Sequence, residues 1–309
     1  DGSEQPGRYG DTLNDEFSVA ITCWFAQQRW NEVLSTRETA VESAQRMGRI
    51  ALAEGDDYNV RRNQAIIRTF RVTPEMGVLK VNYWPKYFQL WETDVLVGLL
   101  VIFLSAMGFA GERDAGVLPL TKTTRYGGRH AAWAKLLSIL GTTTLLYLLF
   151  AGSSLLMTHM RYGLYGLGQS VNLLEGMDLA PLNLTIGQYL LLFTLYKLVG
   201  FLLLAAICCL ISSVSKNSLI ALAGSAAFVL LTFLLDGAVS GLRLPEWINL
   251  ANLLTLLRPS DYFNTFFTAN LFTWPVLWGW VHLAAGVLLL LVLGGITLWR
   301  EDRLAAKGL

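Results

Sequence analysis

The sequence predicts an all-α fold: a polytopic membrane helix bundle of five visible transmembrane helices, preceded by a mainly helical polar segment. Three observations carry that expectation. Of 309 residues, 53% are hydrophobic and only 15% charged, too apolar for the two soluble domains that this length would otherwise allow. The charges are unevenly placed, with 24 of the 47 in residues 1–92 and 23 in the other 217. Beyond that boundary, apolar runs long enough to cross roughly 30 Å of hydrocarbon recur five times.

Two parts follow, a charged segment at 1–92 and a membrane domain at 93–309. The spans lie near 95–110, 136–157, 189–211, 219–235 and 276–298. Each is expected to be helical, because backbone groups in lipid must bond within their own segment. In the charged part, Ser35-Thr36-Arg37-Glu38 has the form of a capping box, which places a helix start at Ser35. Val41, Ala44, Met47, Ala51 and Leu52 then recur at near-helical spacing until Gly55. Tyr83, Trp84, Tyr87, Phe88 and Trp91 crowd the approach to the first span. They read as an aromatic belt at headgroup level, with a ligand-gripping surface as the alternative. Over 241–272, Pro245 suits a first helical turn, and Trp247, Ile248, Ala251, Leu254 and Leu257 form an apolar face before Pro259. Such a helix lies on or dips into a leaflet, or acts as a lid.

Lys and Arg orient the spans, since short loops rich in them stay cytoplasmic. Arg113, Lys122, Arg125, Arg129, Lys135, Lys216, Arg300, Arg303 and Lys307 fall on one side, against Arg161, Arg243 and Arg258 on the other. This places the C-terminus in the cytoplasm and residues 1–92 outside it. Exporting a charged segment with no visible signal calls for a further hydrophobic helix upstream, six in all.

Several chemistries are excluded or left unsupported. A net charge of +1 gives no basic face for nucleic acid. His130, His159 and His282 stand apart with no H-E-x-x-H pair, and no metal site is expected. No G-x-S-x-G elbow or phosphate-binding P-loop occurs, so no catalytic residue is assigned. Cys208 and Cys209, inside an apolar run, read as small hydrophobes. Lys197 stands about 12 Å into its span. It either snorkels to the headgroups or faces the bundle interior, where with Asp236 it would mark a substrate path.

The most informative stretch follows the first span. Phe109-Ala110-Gly111-Glu112-Arg113-Asp114 closes a helix in an acidic turn and Gly116 breaks the chain. Val117-Leu118-Pro119-Leu120 is a short apolar piece, and Thr124-Arg125-Tyr126-Gly127-Gly128-Arg129 leads to Lys135 at the next helix. Composition alone makes this a positive-inside loop. The order of residues, however, resembles the permease subunits of type 2 ABC exporters, particularly Gram-positive forms with a helical extracytoplasmic insertion between their first two membrane helices. Asp57-Tyr58-Asn59-Val60-Arg61-Arg62 is similar to the end of that insertion. The motif covers about residues 111–135; the topology covers essentially the whole chain.

That resemblance implies a non-enzymatic permease in the bacterial cytoplasmic membrane, exporting a peptide, an antibiotic or a lipid-like substrate. Its partners would be a second permease half, identical or not, and a nucleotide-binding ATPase subunit that carries ATP and Mg²⁺; this chain would bind no cofactor. Glu112, Arg113, Gly116, Leu118, Leu120, Arg125 and Arg129 would form the ATPase-coupling loop and its coupling helix. The competing reading is a membrane sensor or assembly subunit that binds an extracytoplasmic ligand without transport.

Overall fold

A computed structural model describes residues 8–73, 83–117, 129–242 and 253–306; the side chains of 8–18, 129, 236, 238–242, 253–254 and 304–306 lie outside the description. The described chain is mostly helical, and five of its helices are long and apolar enough to cross a membrane, as a multi-pass protein requires. It forms two compact units. One comprises Asp1–Phe88, Thr158–Leu191 and Tyr262–Leu277; the other Gln89–Met157, Leu192–Asp261 and Trp278–Leu309. The polar segment therefore packs with two later pieces of the chain.

In the first unit, α1 (Arg8–Glu54) and α2 (Asp57–Phe70) form a helical pair. The helix start expected at Ser35 is not there. Ser35 sits inside α1, its hydroxyl donating back to Glu32 O at 2.9 Å, because the turns before it are already helical and leave no free amides to cap. The stop at Gly55 is real. Gly55 has φ +74°, Asp56 N–H bonds Ala51 O at 2.9 Å and Gly55 N–H bonds Leu52 O at 3.4 Å, the two reverse bonds of a Schellman ending. Asp56 then caps α2 by accepting from Asn59 N–H at 3.0 Å.

The rest of this unit is built on α1. Arg37, only 2% exposed, donates to Asp178 O, Val72 O and Asn183 Oδ1 and lies over the Phe70 ring. Two turns earlier Arg29 donates to Leu173 O and Leu174 O and pairs with Asp178. Burial pushes the Asp178 carboxyl above its usual range, against the pull of Arg29. The aromatic run also belongs here in part. In α3 (Trp84–Phe88), Trp84 and Phe88 are buried; Tyr83 donates to Gly163 O at 2.6 Å and Trp84 Nε1 to Tyr165 O at 3.0 Å. These three rings are buried in the unit, and the polar atoms of Tyr83 and Trp84 find carbonyl partners there; Trp91 is 65% exposed.

A hairpin, β1 (Thr268–Leu271) and β2 (Trp274–Leu277), is a small exception within the mostly helical fold and takes the first residues expected in the fifth span. Its turn residues Phe272 and Thr273 have φ +50° and +70°, as a two-residue hairpin requires, without the usual Asn-Gly signal. Thr273 N–H donates to Asn270 Oδ1, Arg61 donates to Thr273 Oγ1 and Arg61 stacks over Trp274.

The second unit contains α4 (Glu92–Asp114) and parts of α5 (Arg129–Tyr162) and α6 (Ile186–Val214), with α7 (Ser218–Leu242), the short α8 (Leu253–Leu257) and α10 (Trp278–Ala306); the one-turn α9 (Ser260–Phe263) is divided between the two units. Of the helix expected within 241–272, only Leu253–Leu257 lies among the described residues, and it is helical. Small side chains let α4 meet α7, with Ala106, Ala110 and Ala221 fully buried together. Cys208 and Cys209 are buried free thiols in α6.

Candidate functional site

Several polar and charged contacts of the second unit lie along α4. At its start, Lys197 Nζ on α6 donates to Asp94 Oδ2 at 2.6 Å and lies 4.5 Å from the centre of the Phe193 ring. Lys197 is 5% exposed, so it faces inward and does not snorkel. Its partner is a carboxylate the sequence reading had not chosen. Asp236 lies in α7, with its side chain outside the described residues.

Three turns of α4 further on, Ser212 enters from the same helix α6. Its hydroxyl donates to Ala106 O at 2.7 Å and accepts from Ala110 N–H at 3.0 Å and Phe109 N–H at 3.2 Å. Ala106 O and Ala110 N–H are an i, i+4 pair, so the hydroxyl bridges both ends of one rung of the α4 ladder. The pairs Asp94–Lys197 and Phe109–Ser212 share a sequence separation of 103. The constant separation means that α4 and α6 run parallel and in register over these turns.

At the end of α4, three consecutive charged residues each take a different neighbour. Glu112 pairs with Lys135 of α5 at 2.5 Å. Arg113 donates to the carbonyls of Ser212, Ser213 and Ser215, which a helix end leaves without partners, and pairs with Glu301 of α10 at 3.1 Å. Asp114 accepts from Ser218 N–H at 2.7 Å, placing a carboxylate on the amino end of α7. Asn217 caps that helix through Ile220 N–H at 2.8 Å. Gly116 follows with φ +64°, the left-handed turn that ends the segment.

Of the expected coupling residues, Glu112 and Arg113 thus lie in the last turn of α4 and Gly116 directly after it. Leu118, Leu120 and Arg125 lie outside the described residues, and Arg129 begins α5 with its side chain outside the description. Asp114, Ser212 and Glu301 were not singled out from sequence, although Asp114 stands within the quoted acidic turn.

His282 of α10 is 1% exposed, with Nδ1 3.0 Å from the Tyr196 hydroxyl and Nε2 2.7 Å from Thr255 Oγ1. Both ring nitrogens are occupied by hydroxyls, an arrangement that satisfies a buried imidazole and holds α6, α8 and α10 together. No cluster of three His, Cys, Asp or Glu able to hold a metal occurs among the described residues. Beside Asp94 a cleft of about 290 Å³ opens between α4, α6, α7 and the end of α8, with apolar walls.

Compared with protein-family models, with curated proteins and with solved structures, the chain matches none.

Proposed function

We propose that this chain is the permease subunit of an ATP-driven exporter in a bacterial cytoplasmic membrane, with residues 1–92 extracytoplasmic, the C-terminus cytoplasmic, and ATP with its Mg²⁺ held by a separate nucleotide-binding subunit. One observation supports this reading above the others. Glu112, Arg113 and Asp114 tie the end of α4 to α5, α6, α7 and α10. A partner pressing on the segment after Gly116 therefore displaces a point to which four other membrane helices are bound. Such a lever suits a subunit that receives force as a contact. ATP shifts its conformation only through contacts that differ between states.

In this reading Glu112 and Arg113 brace the lever from inside the chain, and Leu118, Leu120, Arg125 and Arg129 are the residues assigned to the contact with the motor. Lys197, with Asp94 in place of Asp236 as its ion partner, stands on the substrate side.

The test is to purify the full-length protein with its bound partners and assay ATPase activity in liposomes. Recovery of a P-loop ATPase whose activity loses substrate stimulation on Glu112→Lys and, separately, on Arg125→Glu supports the proposal. Wild-type stimulation and transport in both variants count against the coupling role. Recovery of no ATPase moves the chain to the sensor reading.

A further inference from the structure

We infer that the cleft beside Asp94 is a binding site for one molecule of a primary-amine, zwitterionic phospholipid from the surrounding bilayer. It would lay an acyl chain along α4 with its ammonium on Asp94 and its phosphate on Arg258. The inference goes beyond the exporter reading and holds whether or not the chain transports anything.

The geometry is that of an amphiphile site. At about 290 Å³ the cleft is near the lower edge of the roughly 300–1,000 Å³ usual for small-molecule pockets. Its walls include Leu99, Leu204 and Phe233, and its two charged lining residues, Asp94 and Arg258, have opposite sign. Asp94 stands in the first turn of α4, and lining residue Ile102 is two turns further along. At 1.5 Å per residue this makes an apolar track of about 12 Å leading away from a polar end. Free fatty tails lack a group for Asp94, and purely anionic lipids meet a carboxylate there. A headgroup with both an ammonium and a phosphate answers both lining charges.

Two details make the polar end usable. Lys197 takes only Oδ2 of Asp94, and Oδ1 makes no hydrogen bond among the described residues. A carboxylate has about four acceptor positions, so an ammonium can be added without removing Lys197. Arg258 is exposed, and its five-donor fork has N–H groups enough to donate to a phosphate alongside its other contacts. The track itself depends on Gly98. A Cβ built there meets nothing within 4 Å, so no packing demands glycine at this helical position, where glycine costs about 1 kcal/mol relative to alanine. Its missing side chain leaves the cleft open.

The full-length protein in detergent, titrated with lipid and read by native mass spectrometry, tests this. Dioleoyl phosphatidylethanolamine is expected to bind as a single molecule, about tenfold more tightly than dioleoyl phosphatidylcholine, whose quaternary amine has no N–H to give Asp94. Dioleoyl phosphatidylglycerol is expected to be as weak as phosphatidylcholine. Gly98→Leu should abolish the bound phosphatidylethanolamine while leaving the Asp94–Lys197 pair and the thermal midpoint intact. Asp94→Asn should remove the preference between the two amine lipids. Equal binding of all three lipids, or phosphatidylethanolamine retained undiminished by Gly98→Leu in a folded variant, overturns the assignment.

Discussion

Lys197 Nζ lies 2.6 Å from Asp94 Oδ2, an ion pair between two membrane-crossing helices whose lysine is 5% exposed and whose carboxylate is partly buried at the edge of the cleft. Breaking a buried pair from one side leaves a charge with no partner. Lys197→Leu is therefore expected to insert but to lose about 3–5 kcal/mol of stability, and Asp94→Leu similarly. The double variant Lys197→Leu with Asp94→Leu should recover most of that loss, since two apolar side chains need no partner. Thermal unfolding in detergent measures the cycle. If the pair also serves export, the double variant will be stable and inactive; a stable, fully active double variant would reduce the pair to a structural tie.

Arg113 is the tie with most to lose. It satisfies the terminal carbonyls of α6 and holds Glu301, so Arg113→Ala leaves several acceptors and one carboxylate exposed to poor solvation. The expected loss is about 2–3 kcal/mol. Arg113→Lys should recover less than half of it, because a point charge cannot span three carbonyls and a carboxylate as a planar fork does. A melting temperature for Arg113→Lys equal to wild type would show that charge alone suffices.

Whether these features could be read from sequence depended on the range of the interaction. The spans were legible because lipid imposes a local rule on composition, and the ending at Gly55 because a left-handed turn favours glycine. The partner of Lys197 was not. Asp94 read alone is an acidic residue at a helix start, and only the parallel register of α4 and α6 brings it beneath Lys197. Glu112 and Arg113 were noticed through the order of residues around them, but their partners on α5, α6 and α10 are set by packing. The β hairpin escaped because its turn is Phe272-Thr273, and its positive φ angles are supported by Asn270 and the distant Arg61 rather than by glycine. At Ser35 a local motif was present and its context was wrong: the preceding residues were already helix.

Ser212 gives a prediction about shape. With the hydroxyl removed in Ser212→Ala, Ala106 O and Ala110 N–H, an i, i+4 pair of α4, still have each other, so the loss should stay below about 1 kcal/mol. Amide exchange at Ala110 is expected to slow as its N–H turns wholly to Ala106 O. Ser212→Val adds a methyl where Ser212 is fully buried and should cost about 1–3 kcal/mol. Faster exchange at Ala110 in the alanine variant would mean that the hydroxyl supports the helix there and does not open it.

Asp56 supplies the pH dependence. Asn59 N–H and the Asn59 side chain both donate to its carboxylate, and those bonds hold its pKa below the usual range. A lowered folded value means that protonation is harder in the folded state than in the unfolded one, where an aspartate titrates near about 3.9. The stabilisation of α2 is therefore fully present above about pH 4, and it is lost as pH falls through the folded value. The protection of the Asn59 amide, its exchange rate taken relative to the base-catalysed rate of an unstructured amide at the same pH, should fall from pH 6 downward in step with that titration. Asp56→Asn can still accept from the same amide, so its exchange profile should lack the acid step while protection at neutral pH largely persists. Asp56→Ala should be unprotected throughout. An acid step that survives in Asp56→Asn would assign the titration to another carboxylate and leave the cap without its electrostatic part.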